Sequence, residues 1–316
     1  MTAVSALPTT SASGTRPPGS GPARRRRRRW DRSAIGFLSP ALVLAVGFLI
    51  IPMAAAFVYS TAKIAPLSGK ITWVGIANYA TMFTDPTFYR SLINTALFIV
   101  LTVPLSMAVG LALAVLMNSV LPGRQVVRTL IYLPLVISGV AVGLIGTFLF
   151  NETVGVFNGL ATSLGLPNVN WQSGGAAAFL SLVLITLWIR VGFTMIIYLA
   201  GLQAVPVELY EAAQVEGANG WQRFRFITFP LLGPSTFFLL VMNVIYSFQV
   251  FDTVFVLTNG GPGNATEVLG TYAYKTAFGA TRDQGYGAAI GVVIFFLTLI
   301  FTVVQWRTNR NRDEAA

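Results

Sequence analysis

An all-α integral membrane bundle of six transmembrane helices, with one structured loop on its cytoplasmic side, is the fold this sequence predicts. Three observations predict it. Only 10% of the residues are charged and the mean hydropathy is +0.69. Six apolar runs reach bilayer length, and lysine and arginine fall unevenly between the loops that separate them.

The formal charge of +10 is explained by position rather than by a nucleic-acid partner. Eight of the 21 basic residues lie in the first 32 positions, and the rest, apart from Arg190, are spread along loops and the carboxyl tail. No nucleic-acid binding is expected. Cysteine and histidine are both absent, which excludes disulfides, thiolate metal sites, cysteine nucleophiles and histidine general bases. Polar work within the bilayer is left to the few charged or amide side chains inside apolar runs.

Residues 1–32 form a tail rich in Ser, Thr, Pro, Gly and Ala, expected to be disordered and cytoplasmic. Its arginine block, Arg24 to Arg29, directly precedes the first apolar run. That run is too long for the core of a secretory signal, and no small-residue cleavage site follows it. The membrane domain occupies 33–306, with spans at about 34–61, 91–117, 127–149, 176–201, 231–256 and 286–306, and residues 307–316 form a second cytoplasmic tail.

Charge sets the orientation. The amino tail, the loops holding Arg124, Arg128, Arg223 and Arg225, and the carboxyl tail carry 15 Lys or Arg, whereas the alternate loops carry five. Both termini are therefore expected on the cytoplasmic side, as an even number of spans requires.

Each span and loop has its own local reading. The first external loop mixes Trp73, Tyr79, Phe83 and Phe88 with Asn78 and Asp85, which suits an ordered segment at headgroup depth. Pro104 and Gly110 in span two, and Pro134, Gly139, Gly143 and Gly146 in span three, allow kinks and close helix approach. Glycines and Pro167 in the second external loop supply turns around a short lateral helix.

Span four buries a guanidinium, Arg190, roughly 15 Å from the cytoplasmic end at helical rise. An intramembrane charge of this kind has three outlets: a structural ion pair, snorkelling, or a solute pathway. Span five carries Asn243, Tyr246, Ser247, Gln249 and Asp252, a large polar content for a bilayer helix. These residues either line a substrate pathway or act as polar glue between helices, with Asp252 nearest the external end. The turn from Leu257 to Thr266 is rich in glycine but lacks the Gly-Lys-Ser/Thr ending of a phosphate loop. No nucleotide-binding machinery is visible, so ATP and Mg would have to be bound by another chain.

The cytoplasmic loop 205–230 has helix punctuation without bilayer length. Pro206 suits a first helical position, and Glu208 falls in the first turn, where free N–H groups favour an anion. Gly217 suits a terminator. Asn219 followed by Gln222 has the form of a capping box that opens a second short helix. Trp221, Phe224 and Ile227 recur every three residues as an apolar stripe, leaving Arg223 and Arg225 facing water or headgroups.

This loop, with Glu211-Ala212-Ala213, Gly217, Ile227 and Phe229-Pro230 in order, resembles the EAA-loop signature of binding-protein-dependent ABC importer permeases. Asn78-Tyr79, Asp85-Pro86, Ser91 to Thr95, Ser247 to Asp252 and Thr258 to Pro262 resemble recurrent passages of the carbohydrate-importer branch, the maltose and glycerol-phosphate type. The likeness runs over nearly the whole chain after the tail. The chain departs from the family pattern at Glu216, more often Asp, and at Phe229, more often Leu. Six spans are also fewer than the eight of some maltose-type members, and the short carboxyl end resembles the first permease of a heteromeric pair.

The resemblance implies a six-helix permease bundle in a bacterial inner membrane, whose loop is a coupling element for a cytoplasmic ATP-binding subunit dimer. Coupling is expected through Glu211, Ala212, Ala213, Gly217, Trp221, Arg223 and Phe224. It further implies a second homologous permease, an extracytoplasmic solute-binding protein and a sugar substrate, with membrane lipid around the bundle. No cofactor is expected in this chain. A stand-alone secondary transporter, or a permease for a solute such as glycerol-phosphate, is the alternative.

Overall fold

The computed structural model describes residues 32–65, 68–119 and 122–313. Apart from Arg32, the expected amino-terminal tail lies outside the described residues. The chain divides into one compact unit ending at Pro52 and another running from Met53.

The first unit holds α1, Arg32–Ala45, a π-helical turn over Val46–Ile50, and the start of α2, Ile51–Tyr59. The widened turn has a covalent cause. Pro52 has no N–H to give the carbonyl four residues back, and its ring crowds that carbonyl, so the Ile51 N–H bonds instead to Val46 O.

In the second unit, α2 ends against a feature absent from the all-α expectation. Strands β1, Ala62–Ile64, and β2, Ile71–Trp73, form a short antiparallel hairpin, pairing Ala62 with Trp73 and Ile64 with Ile71. Helix α3, Ala77–Met82, fixes it: Asn78 donates to Ser60 O at 2.8 Å and to Ala62 O at 3.0 Å. The hairpin was illegible because its strands are three residues each, too short for an alternating pattern.

Helix α4, Pro86–Asn118, starts five residues before the predicted span because Asp85 caps it, accepting from Thr87 N at 2.8 Å, with Pro86 at the first helical position. Its main partner is α8, Gly175–Gln203. Half of the most apolar window of α8 is buried within the protein, against 22% in the last helix, so α8 is the centre of the bundle. Small side chains bring α4 and α8 together: a Cβ at Gly110 would lie 2.5 Å from Thr194 Cγ2, and Ser106 and Thr194 hydroxyls bond at 3.1 Å.

Two predicted spans are broken. Instead of one helix over 127–149, α5, Arg124–Val136, and α6, Gly139–Leu149, meet at a bend of 104°. Ile137 is extended (φ −77°, ψ 141°), and Ser138 starts α6 as its cap, accepting from Ala141 N at 3.3 Å. Instead of one helix over 231–256, α12 stops at Phe248 and a new short helix begins at Asp252 after three non-helical residues.

Before α12 come the loop helices: α9, Val207–Val215; α10, Gly220–Arg223; a second π turn, Phe224–Thr228; and α11, Phe229–Leu231. After a 64° bend follow α12, Gly233–Phe248, and α13, Asp252–Leu257. On the opposite side lie α7, Val156–Ser163, which is the expected lateral helix, and α14, Leu269–Phe278. Helix α15, Gln284–Asp313, closes the chain and continues past the expected boundary at 306.

The half-helices α6 and α13 pack directly on each other through glycines. A Cβ at Gly143 would sit 2.8 Å from Val256 Cβ, and one at Gly139 would sit 3.0 Å from Asp252 Oδ2. The surrounding core joins Phe98 of α4, Val142 of α6, Leu182 and Ile185 of α8, and Val254 of α13. In a bilayer this close fit, rather than escape from water, holds the halves together.

Candidate functional site

The two breaks face each other across a cavity of about 490 Å³. Leu135, Ile137 and Gly139 border it from the α5–α6 break, Thr186, Ile189 and Arg190 from α8, and Phe98 from α4. Tyr246 and Ser247 at the end of α12, the linking Gln249 to Phe251, and Asp252 and Thr253 complete the wall. Broken helices matter here because irregular backbone at membrane depth is tolerated only where protein or a cavity can satisfy it.

Arg190 reaches into this wall from the most central helix. Its guanidinium lies 3.7 Å from the Tyr246 ring centroid and 5.8 Å from that of Phe193, and Nη2 donates to Asn243 Oδ1 at 3.4 Å. The expected alternative of a structural ion pair is not realised. The salt bridge found among the described residues joins Lys275 to Glu267 instead. Aromatic faces substitute for a carboxylate because α8 opposes α12 at this depth, and the carboxylate of Asp252 lies beyond the break.

Of the five polar residues singled out on span five, Tyr246, Ser247, Gln249 and Asp252 line the cavity with Arg190. Asn243 does not. It is 2% exposed, accepting from Arg190 and donating to Leu239 O at 2.9 Å, so it supports the guanidinium from behind. Ser247 is also tied back, its hydroxyl 3.3 Å from that of Thr102.

Sequence reasoning missed Thr186, whose buried Oγ1 has no hydrogen-bond partner and which borders the cavity. A signal existed: Thr186 lies one helical turn before Arg190 and shares its face. Among the described residues, no three His, Cys, Asp or Glu side chains converge as a metal site would require.

The loop 205–230 lies at the far end of α8 from α7. Its first helix starts at Val207, with Pro206 as the preceding cap, one residue later than expected. The ending follows the chemistry of glycine. Gly217 takes φ +80°, its N–H donates to Gln214 O at 3.1 Å, and the Ala218 N–H donates to Ala213 O at 2.9 Å. The capping box is complete: Asn219 Oδ1 accepts from Gln222 N at 2.9 Å, and Gln222 Oε1 accepts from Asn219 N at 2.8 Å.

Glu211, Ala212 and Gly217 are exposed and Ala213 is half-buried, so this edge is open to a partner. The second helix departs from expectation. Trp221 points outward at 70% exposure, stacked on Phe224 with centroids 5.7 Å apart, while Phe224 and Ile227 are half-buried. Arg223, expected to face water, is half-buried beside a cleft of about 240 Å³ with Asn118, Leu202 and Tyr210; Arg225 is exposed. The cause is the π turn at Phe224–Thr228, which breaks the three-residue register. Pro230 has no N–H, and Phe229 N bonds Phe224 O.

At the opposite side, Asp85 joins three helices. The hydroxyls of Tyr272 on α14 and Tyr286 on α15 both donate to Asp85 Oδ2, the latter at 2.6 Å. Burial alone would raise the Asp85 pKa, but those hydroxyls and the Thr87 and Phe88 N–H groups outweigh it and hold the carboxyl below its ordinary value. Burial, with the bond to Asp85 behind it, pushes the Tyr272 phenol up. Nearby, Asn94 donates to Asn264 O and Glu267 O at 3.0 and 2.9 Å, which clamps the glycine-rich turn onto α4.

Residues 106–312 match the family described as binding-protein-dependent transport system inner membrane component. The trehalose/maltose transport system permease protein MalF of Thermococcus litoralis is 32% identical over 288 residues, covering 90% of this chain and 97% of its own. The sulfoquinovosyl glycerol transport system permease protein SmoG of Agrobacterium fabrum is 34% identical over 281 residues, covering 89% and 91%. A chain from the crystal structure of a bacterial alginate ABC transporter, in complex with alginate pentasaccharide-bound periplasmic protein, superposes with a TM-score of 0.79. It is 25% identical, covering 89% of this chain and 95% of that one.

Proposed function

Because the chain belongs to the family of binding-protein-dependent transport system inner membrane components, we propose that it is the translocation subunit of an ATP-driven sugar importer. It is a permease and not an enzyme. The observation that carries the reading is the cavity between two helix breaks, set in the same bundle whose other end exposes the edge from Glu211 to Phe224.

The cavity has the chemistry a sugar needs. Tyr246 and Phe251 offer apolar faces to ring C–H groups and Gln249 offers an amide to sugar hydroxyls, while the hydroxyls of Thr186 and Ser247 lie buried behind that wall. Arg190 and Asp252 add charge-assisted hydrogen bonds at opposite sides of the break. The trehalose/maltose, sulfoquinovosyl glycerol and alginate systems all carry sugars or sugar derivatives, which supports the same substrate class here.

Transport needs parts outside this chain. A second homologous permease supplies the other half of the pathway, and an extracytoplasmic solute-binding protein delivers the sugar. A cytoplasmic dimer of ATP-binding subunits, holding ATP and Mg, docks on Glu211, Ala212, Ala213, Gly217, Trp221, Arg223 and Phe224. Both termini then lie in the cytoplasm of a bacterial cell, on the side richer in arginine. Closure of the ATPase pair pushes the loop, and the bundle yields where α5–α6 and α12–α13 lack a continuous hydrogen-bond ladder.

The natural absence of cysteine permits a direct test. Single cysteines at 246, 249 and 243 are introduced into the assembled importer, and thiol labelling is timed with and without trehalose or maltose. Sugar is expected to slow labelling at 246 and 249, whereas 243, already buried, labels slowly throughout. Equal rates at 246 and 249 with every sugar of a mono- and oligosaccharide panel would overturn the pathway assignment.

A further inference from the structure

Arg190 is a cation at bilayer depth without an anion beside it. A guanidinium carries five N–H donors and cannot lose its charge. Its Nη2 donates to Asn243 Oδ1 at 3.4 Å, and its Cζ lies 3.7 Å from the Tyr246 ring centroid and 5.8 Å from that of Phe193. These neighbours are neutral, so they hold the side chain in place without neutralising it. Asn243, 2% exposed, spends its amide N–H on Leu239 O at 2.9 Å and turns its oxygen to the guanidinium. Among the described residues no carboxylate pairs with Arg190; the ion pair found joins Lys275 to Glu267.

The acid that borders the same cavity has a different counter-charge. Asp252 opens α13, and its carboxylate lies at the start of α6: a Cβ on Gly139, the first residue of that helix, would sit 3.0 Å from Asp252 Oδ2. The first N–H groups of a helix have no partner within it, and the positive end of its dipole favours an anion there. Asp252 is therefore served by backbone, and its side chain is exposed. Arg190, half-buried on α8, is left as the cation of the cavity wall with its charge unmatched.

Resting on the reading of this cavity as a sugar pathway, we propose that the substrate is an acidic sugar and that Arg190 is the residue that selects its acidic group. A charge held at bilayer depth is costly until a partner arrives, and a neutral sugar would leave the guanidinium unmatched throughout its passage. A carboxylate, sulfonate or phosphate offers two or more oxygens at the spacing of paired guanidinium N–H groups, so all three share the chemistry that Arg190 reads. With the acid fixed there, Tyr246 and Phe251 cover the C–H faces of the ring, and Gln249 meets its hydroxyls. The stacked Tyr246 ring and the Asn243 oxygen then serve as positioning groups that keep the guanidinium aimed before the sugar enters.

Matched pairs of sugars test this. Gln249→Cys places a thiol on the cavity wall of the otherwise cysteine-free chain. Labelling of the assembled importer in liposomes is timed at constant ionic strength against glucose with glucuronate, glucose with glucose 6-phosphate, maltose with maltobionate, and acetate alone. The acidic member of at least one pair is expected to protect at a concentration lower by about tenfold or more than its neutral partner, as a hydrogen bond to a charged group allows. Arg190→Gln is expected to bring the two members of that pair together, and Arg190→Lys, which keeps the charge but not the paired N–H groups, to retain part of the difference. Neutral sugars that protect as well as their acids in every pair would overturn the proposal and leave the pathway reading standing. Protection by no sugar would overturn both. Acetate as effective as the sugar acids would make Arg190 a site for any small anion, and an acid preference that survives Arg190→Gln would place the selection elsewhere; either result overturns the proposal. The comparison in the Arg190 form stands even where a variant fails to fold.

Discussion

Substitution of Gly217 separates the backbone requirement of the loop from its packing. The residue has φ +80°, yet a Cβ built there meets no atom within 4 Å. Any loss on substitution is therefore conformational and not a clash. For an L-residue the left-handed conformation costs roughly 1–2 kcal/mol, less for asparagine, whose short polar side chain tolerates it. A β-branched residue suffers more. A loss of that size changes a local folding equilibrium by a factor of about 5–30. Gly217→Ala should therefore speed amide exchange at Gly217 and Ala218, whose N–H groups donate to Gln214 O and Ala213 O, by that factor. Gly217→Asn should have a smaller effect and Gly217→Val a larger one. Hydrogen exchange read by mass spectrometry on the 207–218 segment measures the series, and substrate-stimulated ATPase of the assembled importer should fall in the same order. Equal protection in Gly, Asn and Val forms would refute the conformational argument. Exchange that follows the series while ATPase stays constant would refute the coupling role.

Other outcomes follow from the bundle. Gly143→Leu forces α6 away from Val256, where even a Cβ would sit at 2.8 Å; overpacking of this kind should destabilise by about 1–3 kcal/mol, visible as a lower unfolding temperature in detergent. Tyr246→Phe keeps the ring beneath Arg190 and should leave both stability and sugar transport near the parent, whereas Tyr246→Leu removes a cation–π contact worth roughly 2 kcal/mol when desolvated and should impair both. Asp85 has a folded-state pKa below its ordinary 3.8, so its contribution is complete above that value and is lost as pH falls through the lowered one. Asp85→Asn should therefore be less stable than the parent at neutral pH and lack this component of acid sensitivity, as thermal unfolding between neutral and strongly acid pH will show.

What could be read from the residues was local. The spans were legible because apolar length is a property of consecutive residues, and the loop helices because Gly217, Asn219 and Gln222 act over three or four positions. The breaks were not. Ile137 and Val250 to Phe251 are apolar, and the single polar residue in each break, Ser138 or Gln249, is too little to interrupt a bilayer-length apolar run; Pro134 signalled a kink but not a 104° turn. The grouping of Tyr246, Ser247 and Gln249 with Arg190 was half legible, since each stood out as polar in its own span. Their facing one another depends on α8 meeting α12, which no periodicity encodes. The Asp85 junction was out of reach altogether, because its partners stand 187 and 201 residues away.

The two π turns each end two residues before a proline, at Ile50 with Pro52 and at Thr228 with Pro230. A π turn holds one residue more than the α-helical path it replaces, and one residue corresponds to about 100° of rotation about a helix axis. The turn at Phe224–Thr228 therefore acts as a phase setter between the loop and the span that follows. Deleting one residue within it would leave composition and hydropathy almost untouched while rotating α10, with Trp221 and Arg223, by about a quarter turn relative to α11. Two chains with the same coupling signature but different lengths across this turn would present different faces to their partners, so matching of subunits can be altered by a single-residue deletion that changes no contact residue.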